Sequence, residues 1–270
     1  MGGDRLFRND GDVFTDVTDE AGLYSSIIGF ALSISISDLN RDGWPDIYVA
    51  NDFFERDYIY MNNGDGSFDE ILEDSVIRSH SAASMGSDIA DMTNNGWPDV
   101  YVLDMLPFQE NRVKKVTIFE NLERYRDKAE WGYGHQFTRN VLHLNNGGEY
   151  YQEAGRLAGV QATDWSWSTL LADFDLNGFN DIYTTNGLVQ DITDLDYLQD
   201  ISDRDMIRSI ISAENVDYEQ LINIIPSNPV SNKSFSNEGN LMFTDMTEEW
   251  GLGGAGFSSG AAWGDLDGDG

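Results

Sequence analysis

Asp38-Leu39-Asn40-Arg41-Asp42-Gly43-Trp44-Pro45-Asp46 places side-chain oxygens at its first, third, fifth and ninth positions and a glycine at its sixth. Alternate residues of a tight loop converge on one point. A hard cation such as calcium takes roughly six to eight oxygens at about 2.3–2.6 Å. Gly43 supplies the left-handed backbone that folds the loop back, a conformation costly for any residue with a Cβ. An EF-hand would carry a bidentate Glu at position twelve, but Val49 stands there and no helical pattern flanks the loop. The spacing therefore predicts a calcium loop set between strands, with Asp38, Asn40, Asp42, the Trp44 carbonyl and Asp46 as ligands.

The pattern recurs. Asp91-Met92-Thr93-Asn94-Asn95-Gly96-Trp97-Pro98-Asp99 offers Asp91, Thr93, Asn95, the Trp97 carbonyl and Asp99. Asp173-Phe174-Asp175-Leu176-Asn177-Gly178-Phe179-Asn180-Asp181 offers Asp173, Asp175, Asn177, the Phe179 carbonyl and Asp181. A fourth copy, Asp265-Leu266-Asp267-Gly268-Asp269-Gly270, brings Asp265, Asp267 and Asp269 to the chain end. The competing reading is a set of tight Asp/Asn/Gly turns without metal. The second copy departs furthest from a metal loop, because Thr93 replaces a stronger ligand and only Asp91 and Asp99 carry charge.

A second marker keeps step with the first. Asn/Gly turns between apolar and aromatic runs, with Asp10-Gly11, Asn63-Gly64, Asn146-Gly147 and Asn237-Glu238-Gly239 at their tips, read as hairpins and precede Phe14, Phe68, Tyr151 and Phe243, spaced 54, 83 and 92 apart. The loop-opening Asp38, Asp91, Asp173 and Asp265 are spaced 53, 82 and 92 apart. One unit thus reads as a first strand at 31–37, the loop, a second strand from Asp46, then a hairpin at 58–62 and 67–71. That is four antiparallel strands, the composition of a propeller blade. Small residues on the first strand (Ser33, Ser35, Ser37) are expected to line a crowded channel. Ser168 with Ala172, and Ser258, Ser259, Ala261 and Ala262, are expected to do the same in later units. Corners at Ala21-Gly22-Leu23, Ala158-Gly159-Val160 and Trp250-Gly251-Leu252 link the units.

Two units carry inserts, near 104–138 and 188–232, with helical spacing of apolar residues at 108–131 and 193–225. Thr193 is the expected N-cap of the second, and both inserts are expected on one face, as a packed cap or as a binding surface. The fold class read here is all-β: a β-propeller of four-stranded antiparallel blades with calcium loops and two helical inserts. Residues 1–270 are expected to be a fragment of a larger propeller, about three full blades plus partial blades at both ends.

Composition narrows the function. Net charge is −32, so three calcium ions would leave the surface strongly acidic. Nucleic acid and anionic membranes are disfavoured, and no apolar run reaches the length of a membrane span. With no cysteine, thiolate zinc sites and disulfides are excluded. No catalytic constellation stands out. His80, His135 and His143 share no metal spacing, no Gly-x-Ser-x-Gly elbow occurs, and Asp191, Asp194 and Asp196 read as a helix N-terminus.

These loops, with Asn186-Gly187, Asp191-Ile192-Thr193-Asp194, Thr163-Asp164-Trp165-Ser166-Trp167 and Gly256 through Asp265, resemble FG-GAP/VCBS repeat propellers, whose calcium loop the integrin α-subunit head shares. More closely the chain looks like bacterial surface proteins akin to cartilage acidic protein, which often end in an ASPIC/UnbV domain. The resemblance implies a propeller, calcium in the loops and an exported protein, whether extracellular, cell-surface or periplasmic, although no signal peptide is present in this sequence. The expectation is a non-catalytic, calcium-binding adhesion module for a protein or carbohydrate ligand. A polysaccharide-active propeller enzyme and a purely structural spacer are the alternatives.

Overall fold

The computed structural model describes residues 3–75, 79–117, 121–148, 150–202, 222–265 and 268. Strands β1 (Phe7–Asn9) and β2 (Phe14–Asp16) form a hairpin. Sheet I follows, with β3 (Ala31–Ser37), β4 (Asp46–Asn51), β5 (Tyr58–Asn62) and β6 (Phe68–Glu70) in sequential order. After β7 (Ser79–Ser81) come β8 (Ser87–Ala90) and β9 (Asp99–Val102) of sheet II. The first insert then folds as α1 (Glu110–Val116), α2 (Leu122–Glu130) and β10 (His135–Phe137), which pairs in parallel with β7. Sheet II resumes with β11 (Val141–Asn145) and β12 (Tyr151–Glu153), and one turn of helix, α3 (Gly155–Ala158), leaves it. Sheet III begins with β13 (Ser166–Ala172) and β14 (Asp181–Asn186). After α4 (Leu195–Ser202) and β15 (Val230–Ser231) it is completed by β16 (Lys233–Asn237) and β17 (Phe243–Asp245). Strand β18 (Ala255–Gly256) pairs with β15.

All three sheets are four-stranded antiparallel meanders, and their register explains the matched spacing of the two sequence markers. Ser37 pairs with Asp46, Ala90 with Asp99 and Ala172 with Asp181, so each acidic loop joins the first two strands of its sheet. Asn62 pairs with Phe68, Asn145 with Tyr151 and Asn237 with Phe243 across each hairpin. Antiparallel alternation puts acidic loop and hairpin at the same end of the sheet. The inserts, which join second strand to third, leave from the opposite end.

The sheets pack through their faces. On β9, Val100 and Val102 join Tyr48, Ile59 and Tyr151 in a core between sheets I and II. Tyr101 and Leu103 join Leu142, Ile182 and Phe235 in the core between sheets II and III. A strand covered on both faces reads as an unbroken apolar run, and β9 is buried at every residue. Each such side chain contributes roughly 1.5–3 kcal/mol of burial.

Several expectations need correction. The serines of β3 face β8: Ser35 Oγ donates to the Ser87 carbonyl at 2.9 Å, and Ser33 and Ser87 hydroxyls lie 3.2 Å apart, stitching sheet I to sheet II. The exposed face of β3 is the apolar one, with Ile34 and Ile36 more than half exposed. Among the described residues the sheets do not close into a ring, and Ser258, Ser259, Ala261 and Ala262 lie in no strand, although the Ser258 amide donates to the Asn186 carbonyl of β14 at 2.9 Å. Asp194, not Thr193, caps α4. Its Oδ1 accepts the amides of Asp196 and Tyr197, both at 3.0 Å, satisfying donors that the helix leaves open. Residues 203–221, where the rest of the second helical reading falls, lie outside the described residues. The three corners share one geometry: Gly22, Gly159 and Gly251 are left-handed, and the next residue donates back across the turn.

Candidate metal centre

The third loop brings its carboxylates together. Ligand oxygens of Asp173, Asp175 and Asp181 all lie within 4.8 Å of one another. Backbone amides fix this arrangement. Asn177 and Gly178 donate to the two oxygens of Asp173 at 3.0 and 2.9 Å, and Phe179 donates to Asn177 Oδ1 at 2.8 Å. The left-handed Leu176 (φ 60°) and Gly178 (φ 94°) let the chain double back. Ser236 Oγ donates to Asp175 Oδ2 at 2.7 Å from the neighbouring strand.

The first loop repeats the scaffold but not the triad. Asp42 and Gly43 amides donate to Asp38 at 3.0 and 2.9 Å. The Asp42 carboxylate is drawn onto Asn40 Nδ2 and the Trp44 amide, both 2.8 Å. In the second loop, Asn95 and Gly96 amides hold Asp91 at 3.2 and 2.7 Å, and Trp97 donates to Asn95 Oδ1 at 2.8 Å. The Thr93 hydroxyl oxygen is buried there without a hydrogen-bond partner, a cost that a bound group would relieve. In the fourth copy the Gly268 amide donates to Asp265 Oδ1 at 2.7 Å, while Asp267 and Asp269 lie outside the described residues.

Position nine is the most constrained. Asp46, Asp99 and Asp181 are each fully buried. One oxygen of each accepts the amide of loop position two, and the other accepts the hairpin Asn amide, all at 2.8–2.9 Å. Burial raises all three carboxyls, Asp99 to about 6, against the opposing pull of these amides, and the neighbouring loop acids push the same way as burial. A bound cation would offset this cost.

The hairpin asparagines escaped the sequence reading. Asn62, Asn145 and Asn237 each donate Nδ2 to the carbonyl of loop position eight and accept a hairpin glycine amide on Oδ1. Asn145 Nδ2 also reaches the Leu39 carbonyl of loop one at 2.9 Å, and Asn237 Nδ2 the Met92 carbonyl of loop two at 2.8 Å. Asn94 Nδ2 to the Gly178 carbonyl (2.7 Å) and Asn180 Nδ2 to the Asp91 carbonyl (2.8 Å) join loops two and three directly. The ring at position seven packs on the hairpin glycine: a Cβ on Gly64 would meet Trp44 at 2.6 Å, and one on Gly239 would meet Phe179 at 3.0 Å. The only sequence sign was an Asn in constant phase ahead of each glycine.

The stretch from Asp38 to Val102, which spans loops one and two with the hairpin between them, matches the FG-GAP-like repeat family. These residues form an FG-GAP-like repeat. Integrin alpha-7 of Mus musculus is 36% identical over 85 residues, 27% of this chain. The chain spans about 7% of the length of that relative. The same loop scaffold continues beyond the matched repeat into sheet III.

The donors of the FG-GAP-like loops suit a hard divalent cation: carboxylates, amide oxygens and a hydroxyl, with no sulfur or imidazole among them. The converged acids of loop three and the orphaned Thr93 hydroxyl of loop two both fit such an ion. His143 lies on β11, fully buried with neither ring nitrogen partnered, and its pKa is lowered to about 3 by burial. His80 is likewise lowered to about 4. Neither faces an acidic loop: both stand in the packing around the first insert and sheet II.

Proposed function

We propose that this chain is a calcium-stabilised FG-GAP β-propeller module of an exported or cell-surface protein, binding protein or glycan without catalysis. The convergence of Asp173, Asp175 and Asp181 carries this reading. Asp38, Asn40, Asp42, Asp46 and the Trp44 carbonyl are the ligands in loop one, with the corresponding positions serving in loops two and three. Like charges held at one turn repel until a cation arrives, so binding free energy becomes folding free energy. The likeness to an integrin α chain supports a role in surface ligand binding. No described helix is long and apolar enough to cross a membrane.

At a calcium concentration a hundredfold above Kd, each loop contributes about 2.7 kcal/mol. For a chain of this size that raises Tm by roughly 2–4 °C per kcal/mol. Melting in calcium, magnesium and chelator tests the proposal. A rise of several degrees per loop in calcium, reduced by Asp173→Ala, is expected. Identical melting in all three buffers refutes it.

A further inference from the structure

The two inserts meet at a part-buried arginine. Arg112 of α1 donates to both oxygens of Asp164 (2.6 and 3.0 Å) and both of Asp191 (2.9 and 3.0 Å), and Asn228 Nδ2 adds a bond to Asp191 at 2.6 Å. Two bidentate pairs on one guanidinium leave it little freedom and more than offset its charge. This clamp forms one wall of a cleft of about 500 Å³ at the end of the sheets opposite the acidic loops. That is within the usual range of small-molecule pockets.

The cleft has a definite chemical character. Phe108 stands at its edge 63% exposed, with the Lys233 ammonium 5.4 Å from its ring centre. Lys115, Gln109 and Asn111 of the first insert supply donors, and Lys115 makes no ion pair among the described residues. Glu248 and the second oxygen of Asp194 supply acceptors. The charges of its lining balance, with Arg112, Lys115 and Lys233 set against Asp164, Asp194 and Glu248. The whole first insert shares this neutrality: residues 104–138 hold six basic and six acidic residues, so all of the −32 net charge lies elsewhere. A cleft of this composition has little to select an ion by charge. What it offers is alternating donors and acceptors around an exposed aromatic ring.

Vicinal hydroxyls each donate and accept, and the C–H face of a pyranose packs on an aromatic ring, so a sugar uses every feature of this lining. We propose that the cleft between the two inserts is a binding site for a neutral saccharide, with Phe108 as stacking platform and Lys115 and Glu248 as hydroxyl partners. This deepens the surface-binding reading and rests on it, but it is independent of whether the loops hold calcium.

The test is saturation-transfer NMR on the calcium-loaded chain with cellobiose, maltose and lactose, and with glucuronate and a short acidic peptide for comparison. The expected result is transfer from the protein to the C–H protons of a neutral disaccharide, reduced at least tenfold in affinity by Phe108→Ala and weakened by Lys115→Ala. Both residues are exposed, so neither variant threatens the fold. No transfer to any neutral disaccharide overturns the proposal, as does transfer unchanged in both variants, or binding confined to glucuronate or the peptide. Binding that survives both variants would refute the cleft while leaving a surface-binding module in place.

Discussion

Replacing Asn237 by alanine removes a side chain that is fully buried and makes three hydrogen bonds. Nδ2 serves the Met92 carbonyl of the neighbouring loop (2.8 Å) and the Asn180 carbonyl of its own (3.0 Å), and Oδ1 receives the Gly239 amide (3.0 Å). A buried polar group stripped of its partner costs roughly 1–3 kcal/mol. The Asn180 bond is partly exposed while the Gly239 amide is buried, so the sum is about 3–5 kcal/mol. Asn62 is the internal control. It occupies the same hairpin position, is half-buried, and bonds only the Pro45 carbonyl and the Gly64 amide of its own sheet. Asn62→Ala should therefore cost about 1–2 kcal/mol. The difference, about 2 kcal/mol or more, is the bond between neighbouring sheets. Urea denaturation of both variants in one buffer, with m-values compared, reads it directly. Equal losses in the two variants would refute the claim that the hairpin asparagines tie one sheet's loop to the next.

Three further outcomes are expected. His143, neutral and buried with a pKa near 3, is protonated in the unfolded chain below its ordinary pKa of about 6.5. A lowered folded pKa means stability is lost as pH falls from about 6.5 toward 3, so at pH 5 this group costs about 2 kcal/mol relative to pH 7. His143→Leu should remove that much of the acid-side slope in denaturation at the two pH values, and an unchanged slope would count against it. Arg112→Lys keeps the charge but loses both bidentate pairs, and should cost about 3 kcal/mol of stability. Limited proteolysis should then cut the inserts, while an uncut, equally stable variant would show that the clamp does not hold them. Thr93→Asp adds a carboxylate to loop two. It should tighten calcium binding there about tenfold and lower the melting point in chelator, and movement in the same direction under both conditions would contradict the ligand assignment.

What the sequence disclosed and what it hid divide by chain separation. The acidic loops were legible because their geometry closes within nine residues: Gly43, Gly96 and Gly178 all take the left-handed turn their position requires. The sheets were legible because loop and hairpin keep one phase, and the register shows why, with Asn62, Asn145 and Asn237 pairing with the aromatic markers. The links between units were not legible. Asn145 and Asn237 bond carbonyls 106 and 145 residues away, and an asparagine in a turn has a sufficient local reason to be there. Arg112 likewise meets partners 52 and 79 residues distant, and Asp191, read as part of a helix start, is one of them. On β3 the period-two pattern identified two faces but not which one a neighbour covers. The serine face is covered and the isoleucine face is open. The α4 cap was misplaced by one residue, since Thr193 and Asp194 are both competent caps and only the fold orients one toward the helix amides.

The central claim is that the repeated loops are calcium sites. Isothermal titration of the chelator-stripped chain with calcium, alongside a variant carrying Asp38→Ala, Asp91→Ala and Asp173→Ala together, tests it most directly. The account predicts at least three calcium ions bound per chain, with those of the first three loops absent from the variant and unmatched by magnesium at equal concentration. A folded chain that takes up no calcium, or a triple variant that takes up as much as the parent, would contradict it.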